Sequence, residues 1–205
     1  MNPYLGSARK RALDMVGAVV GLVLASPVLA LAALAIRLEG GGHYLYKQRR
    51  VGRDGVPFDL YKLRTMVTGA ETMGSGLIVD AGDARITRIG AWLRRYSIDE
   101  LPNLINVLAG DMSLVGPRPT VQVQVDQYSE RQRGRLDVRP GITGWAQVNG
   151  RASLPWHERI ELDLWYVEHA SLALDLRIMW LSLRMVFGGH GLYRGETGGW
   201  RPPRE

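Results

Sequence analysis

Between Met15 and Ile36 this chain carries no charged side chain, an apolar run of 22 residues. About 20 such residues suffice for one helix to cross the roughly 30 Å hydrocarbon layer of a bilayer. A cleaved secretory signal does not fit, because Glu39, three glycines and a basic segment follow instead of a small-residue cleavage site. Ser26-Pro27 stands at the middle of the run. Proline removes a backbone donor and collides with the carbonyl four residues earlier, here that of Val23. Both flanks are basic, with Arg9, Lys10 and Arg11 on one side and Lys47, Arg49, Arg50 and Arg53 on the other. The positive-inside tendency puts both ends on the cytoplasmic face. A re-entrant helix-break-helix hairpin meets these conditions, with Ser26 bonding a carbonyl freed by Pro27. A kinked spanning helix also fits the residues taken alone.

The rest of the chain reads as an α+β domain, mostly helical. Of its 205 residues 46% are hydrophobic and 22% charged, an ordinary globular balance. The absence of cysteine excludes disulfides, zinc-thiolate sites and thiol catalysis. A net charge of +6 points to anionic partners: phosphate esters, nucleic acid or acidic lipid. Gly40-Gly41-Gly42 marks the exit from the apolar segment. Segments 43–51 and 56–63 read as strands around the turn Gly52-Arg53-Asp54-Gly55. A loop is expected over 67–83. Helices are expected around Ile86 to Tyr96, Leu101 to Gly110, Ser129 to Leu136, Trp156 to His169 and Leu172 to Phe187. Trp165, Tyr166, Trp180 and Phe187 fit a core or a lipid interface. The chain divides into a membrane-anchoring segment over 1–39, expected as a hairpin, a domain over 40–187 expected on the cytoplasmic side, and a Gly/Arg/Pro-rich tail over 188–205.

Chemistry concentrates in Arg94-Arg95-Tyr96-Ser97-Ile98-Asp99-Glu100-Leu101-Pro102. Ser97 and Glu100 have capping-box spacing, and Pro102 favours a helix start slightly later. Either way Asp99 and Glu100 fall at a helix N-terminus, where a plain cap with an acidic first turn would need no chemistry. Arg94 precedes the pair, and Arg118, Arg139 and Arg151 follow beside Pro or Gly, where planar guanidinium groups suit bidentate phosphate recognition. Neighbouring helical residues point about 100° apart, so one carboxylate can attack while the other holds a cation. A glycosidase pair, with carboxyls about 5 to 9 Å apart across a sugar, does not suit this spacing.

Ser97-Ile-Asp-Glu-Leu-Pro through Asn106-Val-Leu-Ala-Gly-Asp-Met-Ser-Leu-Val-Gly-Pro-Arg-Pro119 closely resembles the bacterial sugar transferases. These are the monotopic polyprenyl-phosphate phosphoglycosyl transferases. Gln48-Arg-Arg-Val-Gly52, Lys62-Leu-Arg-Thr-Met66, Arg85-Ile-Thr-Arg-Ile-Gly90 and Arg139-Pro-Gly-Ile-Thr-Gly-Trp-Ala-Gln147 match as well, in order, and the likeness runs from about Arg9 to Phe187. The resemblance implies a re-entrant membrane hairpin broken at Ser26 and Pro27. It implies transfer of a sugar-1-phosphate from a UDP-sugar to undecaprenyl phosphate, giving UMP and a polyprenyl-diphosphate sugar, the step that initiates exopolysaccharide, O-antigen, capsule or glycan assembly. Asp99 is then the nucleophile and Glu100 a Mg2+ ligand, while Arg64, Arg94, Arg118, Arg139 and Arg151 bind substrate. It implies a minimal catalytic form on the cytoplasmic face of the bacterial inner membrane, in contact with phospholipid, without nucleic acid and with homo-oligomerisation open. The competing reading is a membrane-tethered module that binds anionic lipid or nucleic acid without catalysis. A metal hydrolase is disfavoured, because His43, His157, His169 and His190 are scattered without ligand spacing.

Overall fold

The computed structural model describes residues 2–73, 79, 82–150 and 153–188. After a short 3-10 turn, Ser7 caps the first helix by accepting from the Lys10 amide, and α1 runs from Ala8 to Gly40 over 33 residues. That is about 50 Å at 1.5 Å per residue. The expected break at Ser26-Pro27 is not an interruption of helical backbone, since α1 contains Pro27. The physical reason is local: the Ser26 hydroxyl donates to the Val23 carbonyl at 2.8 Å, occupying the acceptor that proline leaves without its amide. The helix ends at Gly41, whose φ of 63° opens the glycine hinge.

One side of α1 is a continuous seam. Lys10, Asp14, Ala18, Ala25, Ala32 and Ile36 are buried along it, and Leu22 and Leu29 fill the gaps. The arm before Pro27 packs on Leu104, Val107, Met112 and Leu114, whereas Ala32 and Ile36 in the arm after it pack on Leu63 and Leu93. A Cβ at Gly21 would lie 3.1 Å from a Leu104 methyl, so glycine there lets the helix sit close. The opposite side exposes Val16, Val19, Val20, Val23, Leu24, Leu31, Leu34 and Leu38.

Strands β1 (Leu45–Val51) and β2 (Pro57–Leu63) pair antiparallel, with Tyr46 opposite Lys62 and Arg50 opposite Phe58. The turn between them takes positive φ at Asp54 and Gly55, as an Asp-Gly corner prefers. Helices α2 (Arg88–Arg95) and α3 (Asn103–Ala109) follow, and α3 stops at Gly110, where φ is +96°. Strand β3 (Ser113–Val115) then leads to two single-turn helices, α4 (Gln122–Val125) and α5 (Glu130–Arg133). Strand β4 (Gly141–Thr143) pairs parallel with β3, and the short α6 (Trp145–Val148) precedes α7 (Trp156–His169) and α8 (Leu172–Gly188).

The four aromatic residues singled out in the last two helices divide between roles. Tyr166 is fully buried, Trp165 stacks on Trp145 at the surface, and Trp180 is 63% exposed. The side chain of Phe187 and the tail from residue 189 lie outside the described residues. The basic cluster in the first turn of α1 is part of the fold. Lys10 donates to Asp175 (2.7 Å), Asp14 (3.4 Å) and the Val115 carbonyl (3.0 Å), and Arg11 donates to the Val107 and Leu108 carbonyls at the end of α3. These bonds tie the start of α1 to β3 and α8.

Candidate active site

The site rests on two Gly/Pro-rich loops that the β3–β4 pair brings side by side. Gly116 and Gly141 meet backbone to backbone: a Cβ on Gly141 would fall 2.1 Å from the Gly116 nitrogen, so no other residue fits. The contact fixes Gly116-Pro117-Arg118-Pro119 against Arg139-Pro140-Gly141. From behind, Arg135 donates to the Arg118 carbonyl at 3.0 Å and pairs with buried Asp163 at 2.5 Å. Arg50 reaches the Pro119 carbonyl, and Thr120 bridges Val51 of β1. Arg118 is thus held by its backbone, leaving its guanidinium to project.

Its target is Glu100. Ser97 takes positive φ (55°), and Ile98–Glu100 form a single 3-10 turn ahead of α3. The capping box expected between Ser97 and Glu100 does not form; that device occurs instead at Ser129 and Gln132. The Glu100 carboxylate accepts from Arg118 at 2.5 and 3.3 Å and from Lys62 at 2.9 Å. Because α3 begins only at Asn103, side-chain cations rather than a helix terminus set the electrostatics of the pair.

The two carboxylates diverge. Burial opposes ionisation of Glu100, but the Arg118 and Lys62 charges and their hydrogen bonds outweigh it and hold the carboxyl well below its usual range. Asp99 is buried and accepts no hydrogen bond among the described residues. Burial, then the neighbouring Glu100 charge, pushes its carboxyl up, while Lys62, Arg94 and Arg118 pull it back in part. One acid is anchored. The other is desolvated and unclaimed, which suits a nucleophile.

Positive charge is in surplus here. Burial lowers Lys62, with Glu100 offsetting part of the effect. Burial and then the Arg118 charge lower Arg50 to about 10, and the same two causes lower Arg159 to about 10. Crowded, partly desolvated cations of this kind favour an incoming polyanion. Lys62 and Arg50 escaped the sequence reading, although a signal existed: on β2, Lys62 is in phase with buried Phe58 and Leu60. Arg159 of α7 carried no comparable signal.

Among the arginines expected to bind substrate, Arg94 and Arg118 act on the pair electrostatically. Arg64 instead donates to the Gly41 carbonyl at the end of α1, and Arg139 donates to the Gly110 carbonyl at 2.8 Å, so both serve backbone termini in this structure. Arg151 lies outside the described residues. Among the described residues there is no cluster of three or more acidic or histidine side chains. Glu100, with Asp99 beside it, offers the carboxylate oxygens that could hold a divalent cation, a sparse oxygen set that Mg2+ accepts.

A family model described as bacterial sugar transferase matches residues 5–189. The sugar transferase EpsL of Bacillus subtilis is 44% identical over 183 residues, covering 89% of each chain. A UDP-glucose:undecaprenyl-phosphate glucose-1-phosphate transferase of Caulobacter vibrioides is 47% identical over 179 residues, 83% of this chain and 67% of the relative. An enzyme of the same name in Escherichia coli is 41% identical over 195 residues, 90% of this chain but 41% of the relative. The chain therefore spans nearly all of the Bacillus protein and less than half of the Escherichia coli one.

Proposed function

This chain belongs to the bacterial sugar transferase family, and from that membership we propose that it transfers a sugar-1-phosphate from a UDP-sugar to undecaprenyl phosphate. The observation that carries the reading is the unequal pair: Asp99 buried without a hydrogen-bond partner among the described residues, beside a Glu100 gripped by Lys62 and Arg118. A carboxylate oxygen of Asp99 attacks the β-phosphorus of the donor. The bond from that phosphorus to the bridging oxygen breaks, and UMP leaves with the electron pair. An oxygen of the lipid phosphate then attacks the same phosphorus, Asp99 departs as carboxylate, and the product is undecaprenyl-diphosphate sugar.

Arg118 and Lys62 orient the diphosphate and offset its charge, a role that bidentate and ammonium donors fill in phosphoryl transfer. Arg50, Arg94 and Arg159 add to the positive field. Glu100, with Asp99 beside it, would hold Mg2+, which when bound supplies Lewis-acid neutralisation of phosphate oxygens. Burial keeps bulk water from the nucleophile, so the phosphosugar on Asp99 awaits the lipid instead of hydrolysing.

The acceptor is confined to a membrane, and we place the domain on the cytoplasmic face with both ends of α1 on that side. What supports this is the seam: both arms of α1, before and after Pro27, pack on one globular body, so only the opposite face is free to meet lipid. The exposed valines and leucines of that face, at roughly 1.5 kcal/mol each on burial, supply on the order of 10 kcal/mol of attachment. The test is UMP release from a panel of UDP-sugars with undecaprenyl phosphate and Mg2+. Turnover is expected for wild type and none for Asp99→Asn; wild-type inactivity toward the whole panel contradicts the reading.

A further inference from the structure

One cavity next to the carboxylate pair has a chemistry unlike the rest of the site. It encloses about 860 Å³ of space open to solvent, between the Ile98–Leu104 segment, β4, α6 and α8. Its walls are aliphatic: Leu101, Leu104, Ile142, Val148, Leu183 and Val186. Glu100, Arg118 and Gln147 add polar groups to the lining. Gln147 is buried, yet among the described residues neither its amide nitrogen nor its amide oxygen has a hydrogen-bond partner. A buried amide left unpaired costs about 1–3 kcal/mol, and a ligand that satisfies it recovers that cost.

Two further observations place apolar surface beside the cavity. Leu104, in its wall, abuts Gly21 in the middle of the apolar run of α1. On α8, Leu172, Leu176, Trp180 and Leu183 are exposed at helical spacing, forming an apolar stripe that ends at the cavity rim with Leu183. Tyr96, Ser97, Thr143 and Ser182 line the cavity too, but Thr143 and Ser182 bond each other and most of the lining surface is apolar, so an aliphatic ligand suits it better than a nucleoside. A phosphate on a long hydrocarbon chain finds both of its halves provided for.

Building on the proposed function, we infer that this groove seats the acceptor, with its isoprenoid chain along the Leu104, Val148 and Val186 walls and its phosphate at Arg118 and the Gln147 amide. The acceptor phosphate thereby approaches Asp99 from the side of α6 and α8 once UMP has left, with Arg118 serving the donor's diphosphate in the first step and the acceptor phosphate in the second. The groove is then a specificity element: chain length is read by the aliphatic walls, and the head group by Gln147.

The test uses the full chain in detergent or nanodiscs and has two readouts. An undecaprenyl phosphate analogue with a diazirine in its first isoprene units should crosslink to Val148, Leu183 or Val186, whether or not turnover is observed. Labelling confined to the exposed face of α1, or displacement of the probe by UDP alone, overturns the inference. In the kinetic arm, Val148→Trp and Val186→Trp fill the groove, and Leu176→Trp, on the same stripe outside it, controls for membrane contact. The filling variants should raise KM for undecaprenyl phosphate about tenfold or more with the donor KM unchanged, an effect that shrinks with a short-chain isoprenyl phosphate. Gln147→Leu should raise acceptor KM for both chain lengths. An unchanged acceptor KM, or a raised donor KM, contradicts the groove assignment. Wild-type inactivity toward every UDP-sugar would instead count against the transferase reading, and the crosslink would still decide the groove.

Discussion

Asp14 of α1 with Asp175 of α8, and Asp99 with Glu100 at the loops, are both acidic pairs buried beside cations, yet their oxygens are satisfied differently. Asp14 Oδ1 accepts from Lys10, the Ser113 hydroxyl (2.9 Å) and the Leu114 amide (2.9 Å). Asp175 accepts from Tyr166 (2.7 Å) on one oxygen and from Lys10 (2.7 Å) and Tyr4 (2.8 Å) on the other. Three donors converge on each carboxylate, and the network's work is to lock the start of α1 to β3 and α8. At the other pair Glu100 takes the donors and Asp99 is left without one among the described residues. A buried charge held by several donors is structural, because removing any member strands the others. An unsaturated one is held at a cost to stability that the fold tolerates for chemistry.

Substitutions that invert the two regions break or sharpen this contrast. The largest effect is expected for Asp99→Asn, roughly a 10³-fold loss of kcat or more, read by UMP release. The same variant should raise Tm. Asp99 titrates above its ordinary 3.8 in the fold. Its contribution to stability is therefore complete below that pH, is lost as pH rises through the folded value, and is absent at neutral pH, where the neutral amide avoids the cost.

Lys10→Met should do the reverse. It strands Asp14 and Asp175 and costs about 3–5 kcal/mol in chemical denaturation. In enzyme that remains folded, the donor KM should be unchanged.

Lys62→Met lies between the two regions, since it removes one cation from Glu100 and one from the field at Asp99. A loss of about tenfold to a hundredfold in kcat/KM is expected. Because Lys62 favours the ionised form of Asp99, its removal should move the acid limb of the rate profile to higher pH; a shift to lower pH would contradict the assignment of that limb to Asp99. The smallest effect is expected for Tyr4→Phe, which withdraws one of three donors from Asp175 and should cost about 1 kcal/mol without altering turnover.

The elements with strong local signals were legible in the sequence. The β-hairpin follows from its Asp-Gly corner between alternating strands, and α7 begins and ends where the periodicity places it, Trp156 to His169. The β3–β4 pair was not legible, because three residues are too few to display a period and parallel pairing joins segments more than twenty residues apart. Yet that pair is what sets Arg118 against Glu100. The course of α1 through Pro27 depended on a single hydroxyl at Ser26, which the sequence reading placed correctly while expecting a break in the helix around it.

Within the site, Asp99, Glu100, Arg94 and Arg118 were legible because they cluster in short motifs. Arg64 and Arg139 share those motifs but spend their donors on the Gly41 and Gly110 carbonyls. Nothing local distinguishes a guanidinium that will meet phosphate from one that will cap a backbone terminus. Lys62 shows the converse, a cation whose role becomes visible only once β2 is known to turn it towards Glu100.

The most direct measurement is the intact mass of the protein after incubation with UDP-sugar and Mg2+ in the absence of lipid acceptor, followed by peptide mapping. The expected result is a gain equal to one sugar phosphate, located on Asp99, absent from Asp99→Asn and discharged by undecaprenyl phosphate. Turnover without such an adduct, or an adduct on any other residue, would contradict the unpartnered aspartate as the group that carries the sugar phosphate.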